Sequence, residues 1–156
     1  MQLKHILAPD CTRCAVEGQS KKKILQLIAN MAATHLPGMT TQDVFDCLLH
    51  REKLGSTGIG CGIAIPHGKL SKGSQVVAVL ITTSSPISFD AIDHRPVDIF
   101  FALLVPEAMC KEHLQTLSNI AKFLNNKERC RRLRKATSDQ ELFNLIQEDE
   151  SLLMEG

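Results

Sequence analysis

The run REKLGSTGIGCGIAIPHG, residues 51–68, constrains this chain more than any other feature. Its five glycines, at 55, 58, 60, 62 and 68, leave room for tight turns and for backbone N–H groups to approach an anion. A short apolar strand through Ile63 and Ile65 leads into a single histidine. Pro66 fixes φ just before His67 and biases Ile65 toward an extended conformation. His67 is thus expected at the end of a strand, in a polar turn. Neutral imidazole is nucleophilic near pH 7, because its unperturbed pKa is about 6.5. The loop is suited to present that imidazole to a phosphoryl group. Backbone donors at Gly58, Gly60, Gly62 and Gly68, with the hydroxyls of Ser56 and Thr57, are the candidate phosphate ligands.

Other nucleotide and phosphate motifs are missing. There is no Walker A pattern, and Ile63 occupies the last position of what would be G-x-G-x-x-G, so direct nucleotide hydrolysis is not expected. Net charge is +1, which gives no global field for nucleic acid or membrane. The basic cluster Arg129, Arg131, Arg132, Arg134 and Lys135 lacks stacking aromatics and reads as a solvated face followed by an acidic tail through Asp149 and Glu150. Met1–Pro9 has no apolar signal core, and apolar runs such as Val76–Ile81 are far short of the ~20 residues of a membrane helix. A cytoplasmic chain without membrane insertion is the expectation.

Patterning alternates helices and strands. Ser20 caps a helix over Lys22–His35, and Thr40-x-x-Asp43 opens a second that stops at Gly55 and carries Arg51 in its last turn. Gln75–Thr83 and Val97–Val105 are apolar enough for strands covered on both faces. Helices follow over Met109–Leu124, Lys127–Lys135 and Ser138–Gln147, the last with a capping box from Ser138 to Glu141. At 156 residues, enough to bury roughly 70% of the unfolded surface, these elements make one α/β domain over 1–156. The expected architecture is a sandwich: a small mixed β-sheet flanked by helices on both faces.

GSTGIGxGIAIPHG after Arg-Glu-Lys, then FDAIDHRPVDIFFALLVPE and a His-Leu-x-Thr-Leu helix, resembles the enzyme IIA components of the bacterial phosphoenolpyruvate phosphotransferase system. Within these it is similar to the mannitol/fructose-type superfamily and its nitrogen-regulatory branch, from about Leu7 to about Gln147. The resemblance implies that His67 is phosphorylated on Nε2 by a histidine-containing phosphocarrier protein, with His113 beside it and Arg51 near the same site. It also implies regulated target proteins and neither cofactor nor metal. Two alternatives stay open: a sugar-specific IIA that passes the group to an enzyme IIB, and a binding module that regulates without phosphorylation.

The six cysteines, at 11, 14, 47, 61, 110 and 130, are spread through a chain large enough to have its own core and read as reduced thiols. Cys11-Thr-Arg-Cys14 has the spacing of half a zinc site, without a second ligand pair in sequence. His5, His35, His50 and His94 read as surface or turn residues. Ile59 and Ile63 are expected to ring the pocket at His67.

Overall fold

A computed structural model describes residues 3–18 and 20–155, with side chains omitted for Lys4 and residues 149–155; Asp149 and Glu150 of the acidic tail lie outside the described side chains. The strands are β1 Leu7–Val16, β2 Gly58–Gly60, β3 Ile63–Ala64, β4 His67–Leu70, β5 Val77–Ile87 and β6 Val97–Pro106. The helices are α1 Lys21–Ala33, α2 Thr41–Lys53, α3 Leu114–Leu124, α4 Lys127–Lys135 and α5 Asp139–Glu155. The strands form one mixed sheet in the order β1-β5-β6-β3-β2, with β4 also paired to β6. Helices flank it on both faces. α1 packs on α2 and on β5, α2 lies over β4, and α5 covers β1.

β5 and β6 are the centre of the core, as their continuous apolar runs predict. All residues from Ile99 to Leu104 are 0% exposed, so both faces of β6 are covered. Phe89 meets Phe100 edge to face, with ring centroids 5.3 Å apart. No described helix is long and apolar enough to cross a membrane.

Local capping sets the helix starts. Ser20 accepts from Lys23 N–H at 3.2 Å, and Thr40 and Asp43 close a reciprocal capping box with both bonds at 3.0 Å. The capping box expected at α5 is only half made. Ser138 Oγ accepts from Glu141 N–H at 3.0 Å, but the Glu141 carboxylate takes the N–H and hydroxyl of Thr137 instead.

Other expectations need correction. The helix expected over Met109–Leu124 starts at Leu114, because Glu107–Met109 form a 3-10 turn after Pro106 and His113 sits at φ −100°, ψ 5°, outside helical geometry. The last helix continues past Gln147 to Glu155. Leu7–Val16 is an edge strand that the sequence did not signal. Arg129, expected on a solvated face, is 8% exposed: it donates to Phe123 O at 2.6 Å and its guanidinium stacks over the Phe123 ring at 4.3 Å.

Candidate active site

The glycine run is laid along one edge of β6. β3 pairs in parallel with Ile99–Phe100 and β4 with Leu103–Pro106, so a single strand of sheet is interrupted only at Ile65–Pro66. Pro66 has no N–H, yet its carbonyl still accepts from Leu103 N–H at 2.9 Å. His67 therefore opens β4 rather than ending a strand in a free turn. Beside it, Gly68 is required by close packing: a Cβ there would stand 2.5 Å from Cys47 Sγ on α2. Cys47 in turn donates to Lys69 O at 2.9 Å. Burial, then the neighbouring Cys110, pushes the Cys47 thiol above its ordinary value and keeps it a donor. This contact seats the last turn of α2, and Arg51 with it, against His67.

The two ring nitrogens of His67 have different partners. Nδ1 lies 2.8 Å from Ile65 O, and Arg51 Nε donates to Nε2 at 3.1 Å. A carbonyl can only accept and a guanidinium only donate, so the hydrogen is on Nδ1 and the lone pair on Nε2. Burial pushes the His67 pKa below its ordinary 6.5; the bond to Ile65 O opposes this, Arg51 adds to it and Glu52 opposes it. The imidazole is neutral and nucleophilic at neutral pH. Arg51 is braced by a second bond, from Nη1 to Gly55 O at 2.7 Å.

Because the folded pKa is lower, the unfolded chain takes up the proton first as pH falls. The contribution of His67 to stability is complete above 6.5 and is lost as pH falls from there through the folded value. Replacing Arg51 by Gln removes a cation that disfavours imidazolium, so His67 is expected to titrate at higher pH in Arg51→Gln. NMR titration of the His67 ring protons checks this; an unchanged or lower midpoint would contradict it.

Two cavities meet at His67. One of about 870 Å³ is lined by Met39, His50, Arg51, Leu54, Lys69 and Lys72 among others. The other, about 120 Å³, brings His67 together with Leu103, Cys110, His113, Leu114 and Leu117. Leu54 and Leu114 are 74% and 65% exposed, an apolar rim on either side of the imidazole. His113 is 4% exposed, and its Nδ1 lies 2.9 Å from Thr116 Oγ1, which fixes the ring one residue before α3 begins. His113→Ala is expected to slow phosphoryl acceptance by about 10- to 100-fold, roughly 1.4 to 3 kcal/mol. A melting curve on the same variant separates this from packing, since a packing role alone lowers Tm and leaves the rate near wild type.

His67, Arg51, His113 and Gly68 are thus brought together. Most of the remaining loop groups have other partners, while the Thr57 hydroxyl is buried and has no hydrogen-bond partner among the described residues. Ser56 Oγ donates to Phe89 O at 2.7 Å and accepts from Gly58 N–H at 3.0 Å. Gly58 lies on Ala91, where a Cβ would approach 2.7 Å. Gly60 and Gly62, at φ +102° and +79°, flank Cys61 at φ +58° in the β2–β3 hairpin turn. Asp93 takes the Cys61 N–H at 2.9 Å, and Arg134, held by Asp98 at 2.9 Å, donates to Cys61 O at 2.8 Å. That turn borders a separate cavity of about 660 Å³. Ile59 and Ile63 line this separate cavity, so the apolar ring expected from them at His67 is supplied by Leu54, Leu114 and Leu117 instead.

One residue the sequence reading passed over is Glu52. It is 7% exposed and accepts the Thr57 N–H with both oxygens, at 3.1 and 3.2 Å. Lys21 Nζ reaches it from α1 at 3.2 Å and stacks over the Phe89 ring at 4.5 Å. The signal was available: a carboxylate in the last turn of a helix opposes the macrodipole and needs compensation. Glu52 ties α1, α2 and the start of the glycine loop together one residue from Arg51.

A half-buried neutral imidazole, a guanidinium on its free nitrogen and a second histidine in the same cavity are an arrangement that can serve phosphoryl transfer. The chain belongs to the family described as phosphoenolpyruvate-dependent sugar phosphotransferase system, EIIA 2, which it matches over residues 5–149. It is 53% identical over 149 residues to a nitrogen regulatory protein of Klebsiella oxytoca, covering 95% of this chain and 91% of that one. The nitrogen regulatory protein of Escherichia coli strain K12 is 52% identical over 151 residues, 96% of this chain and 92% of that one. In structure it is similar to the nitrogen regulatory protein IIA-Ntr of Neisseria meningitidis, with a TM-score of 0.85 and 36% identity over 92% of this chain and 98% of that one.

Proposed function

We propose that this chain is a cytoplasmic phosphoryl carrier of a nitrogen-regulatory phosphotransferase system, in which His67 Nε2 accepts the group from a histidine-containing phosphocarrier protein. The phosphorylated and free forms then act differently on target proteins. The observation that carries this reading is the pair of bonds on the His67 ring, Nδ1 to Ile65 O at 2.8 Å and Arg51 Nε to Nε2 at 3.1 Å. Together they leave a lone pair on Nε2 with a cation beside it.

In the proposed step the Nε2 lone pair attacks the phosphorus of the donor's phosphohistidine. The donor N–P bond breaks as the new one forms, and its electron pair returns to the donor ring. The His67 proton stays on Nδ1, held by Ile65 O. Arg51 releases Nε2, and its guanidinium turns to the phosphoryl oxygens, where planar donors are worth most. His113, which lines the same smaller cavity, offers a further donor. Loop donors from Ser56 to Gly62 are secondary in this reading, because their described bonds are to protein groups and the one unpartnered hydroxyl, that of Thr57, is buried.

The regulatory part rests on the rim. Phosphorylation adds about −1.5 to −2 charges by analogy with other phosphorylated side chains, between exposed Leu54 and Leu114. A partner packed on those leucines has to desolvate that dianion, which is costly unless it brings cations. State-dependent docking then needs no backbone movement. Its test uses the phosphorylated, free and His67→Ala proteins as bait in cell lysate, followed by transfer assays with any enzyme IIB recovered. Capture of non-transport proteins in one state only supports regulation. Fast transfer to a single cognate IIB would make the chain a sugar-uptake component.

A further inference from the structure

We propose that Asp10, Cys11 and His35 form a binding site for one zinc-class divalent cation, separate from the His67 site. One ligand atom from each of the three lies within 4.8 Å of both others. In a regular strand, Asp10 and Cys11 would point to opposite faces of the sheet. The pairing of β1 with β5 slips between Leu7 and Thr12, and such an irregularity turns a side chain toward the other face. His35 arrives from just beyond the C-terminal end of α1, where its N–H is bonded to Ala32 O at 2.9 Å. Its Nε2 stands 2.8 and 3.0 Å from the two oxygens of Asp10.

The donor chemistry selects the metal class. A thiolate, an imidazole and a carboxylate together suit zinc and its borderline neighbours, while magnesium and calcium prefer oxygen-only shells. With bonds of about 2.0 to 2.3 Å, tetrahedral ligand atoms stand roughly 3.3 to 3.7 Å apart. No pair has more than about 1.5 Å to close, within reach of side-chain rotation at Asp10 and His35. The ion would enter from the Asp10 and His35 side, since Cys11 is 0% exposed and its Sγ lies 3.7 Å from Met31 O. His35 also lines a cavity of about 420 Å³, which leaves the fourth position to solvent. On binding, the Cys11 S–H bond breaks, the S–metal bond forms and the proton passes to solvent.

A plain surface ion pair accounts for Asp10 and His35 and is worth little. The Cys11 thiol lies at the same point at the edge of the core, where its S–H donates to Met31 O at 3.7 Å; a metal would take the sulfur in place of that contact. The metal would clamp edge strand β1 to the end of α1, so bound ion stabilises the fold by mass action. The sequence hid this site because its third ligand comes from another element; Cys14, the partner that spacing offers, is not in the cluster.

The test is a titration of the full chain with cobalt(II) as spectroscopic probe, repeated with zinc in competition against a chelating dye. The expected result is one ion per chain, a thiolate-to-cobalt charge-transfer band and a higher Tm in the metal-bound form. Cys11→Ser should abolish the band, and Asp10→Asn and His35→Gln should weaken zinc binding more than about tenfold. If Cys11→Ser does not fold, the other two decide alone, because their side chains are not in the core. Absence of the band in the wild type, or wild-type affinity in His35→Gln, would overturn the proposal.

Discussion

Replacing His67 with Ala is expected to abolish phosphoryl acceptance while the protein keeps its fold. The side chain lies at the opening of β4, with both ring nitrogens bonded to local groups, the Ile65 carbonyl and Arg51. Ladder contacts between β4 and β6 use backbone atoms from His67 to Leu70, which alanine retains. The loss of two half-buried hydrogen bonds costs about 1 to 2 kcal/mol, within reach of a stable domain. Incubation with phosphoenolpyruvate, enzyme I and the phosphocarrier protein, followed by intact mass, checks this. Wild type should gain one acid-labile phosphate and His67→Ala none. A phosphate on the variant would place the acceptor elsewhere.

The second large effect is expected at Glu52. Its side chain is 3% exposed and Lys21 is 24% exposed, so this is a buried carboxylate with a partly hydrated cation. Glu52→Ala orphans the Thr57 N–H and leaves Lys21 to Phe89 O at 3.4 Å and the exposed Asp90 carboxylate at 3.6 Å. Breaking a fully buried pair costs about 3 to 5 kcal/mol. Partial hydration of Lys21 discounts this to about 2 to 3 kcal/mol. Chemical denaturation should show that loss. Glu52→Gln, which keeps an acceptor for Thr57 N–H, should recover part of it. Because Thr57 begins the glycine loop and Arg51 adjoins Glu52, transfer should also slow in the alanine variant. Equal stability of alanine and wild type would contradict the role assigned to Glu52.

Much of the architecture was legible because burial on both sheet faces leaves continuous apolar runs, and β5 and β6 carry them. Capping chemistry marked α1 and α2 in the same direct way. β1 was hidden for the opposite reason: Pro9, Asp10 and Arg13 lie on an irregular edge strand whose exposed positions suit polar residues. The start of α3 was misread because the apolar period runs on through residues wound as a 3-10 turn. At the site, the glycine run pointed to His67, and Arg51 near it came from resemblance, which its place just before the loop allows. His113 came only from resemblance, since nothing local says that the start of α3 meets β4. The roles of the glycines were the least legible. Gly68 answers to Cys47 and Gly58 to Ala91, contacts between distant segments that no local pattern encodes.

The central claim is that Nε2 of His67, with its lone pair freed by the Nδ1 bond to Ile65 O, is the phosphoryl acceptor. It is tested most directly by heteronuclear NMR of the protein, labelled with nitrogen-15 and phosphorylated by the phosphocarrier protein. The account predicts a single phosphohistidine, assigned to His67, with phosphorus coupled to Nε2 and the Nδ1 proton still protected. Coupling to Nδ1 of His67, or a phosphate on His113 or His50, would contradict it.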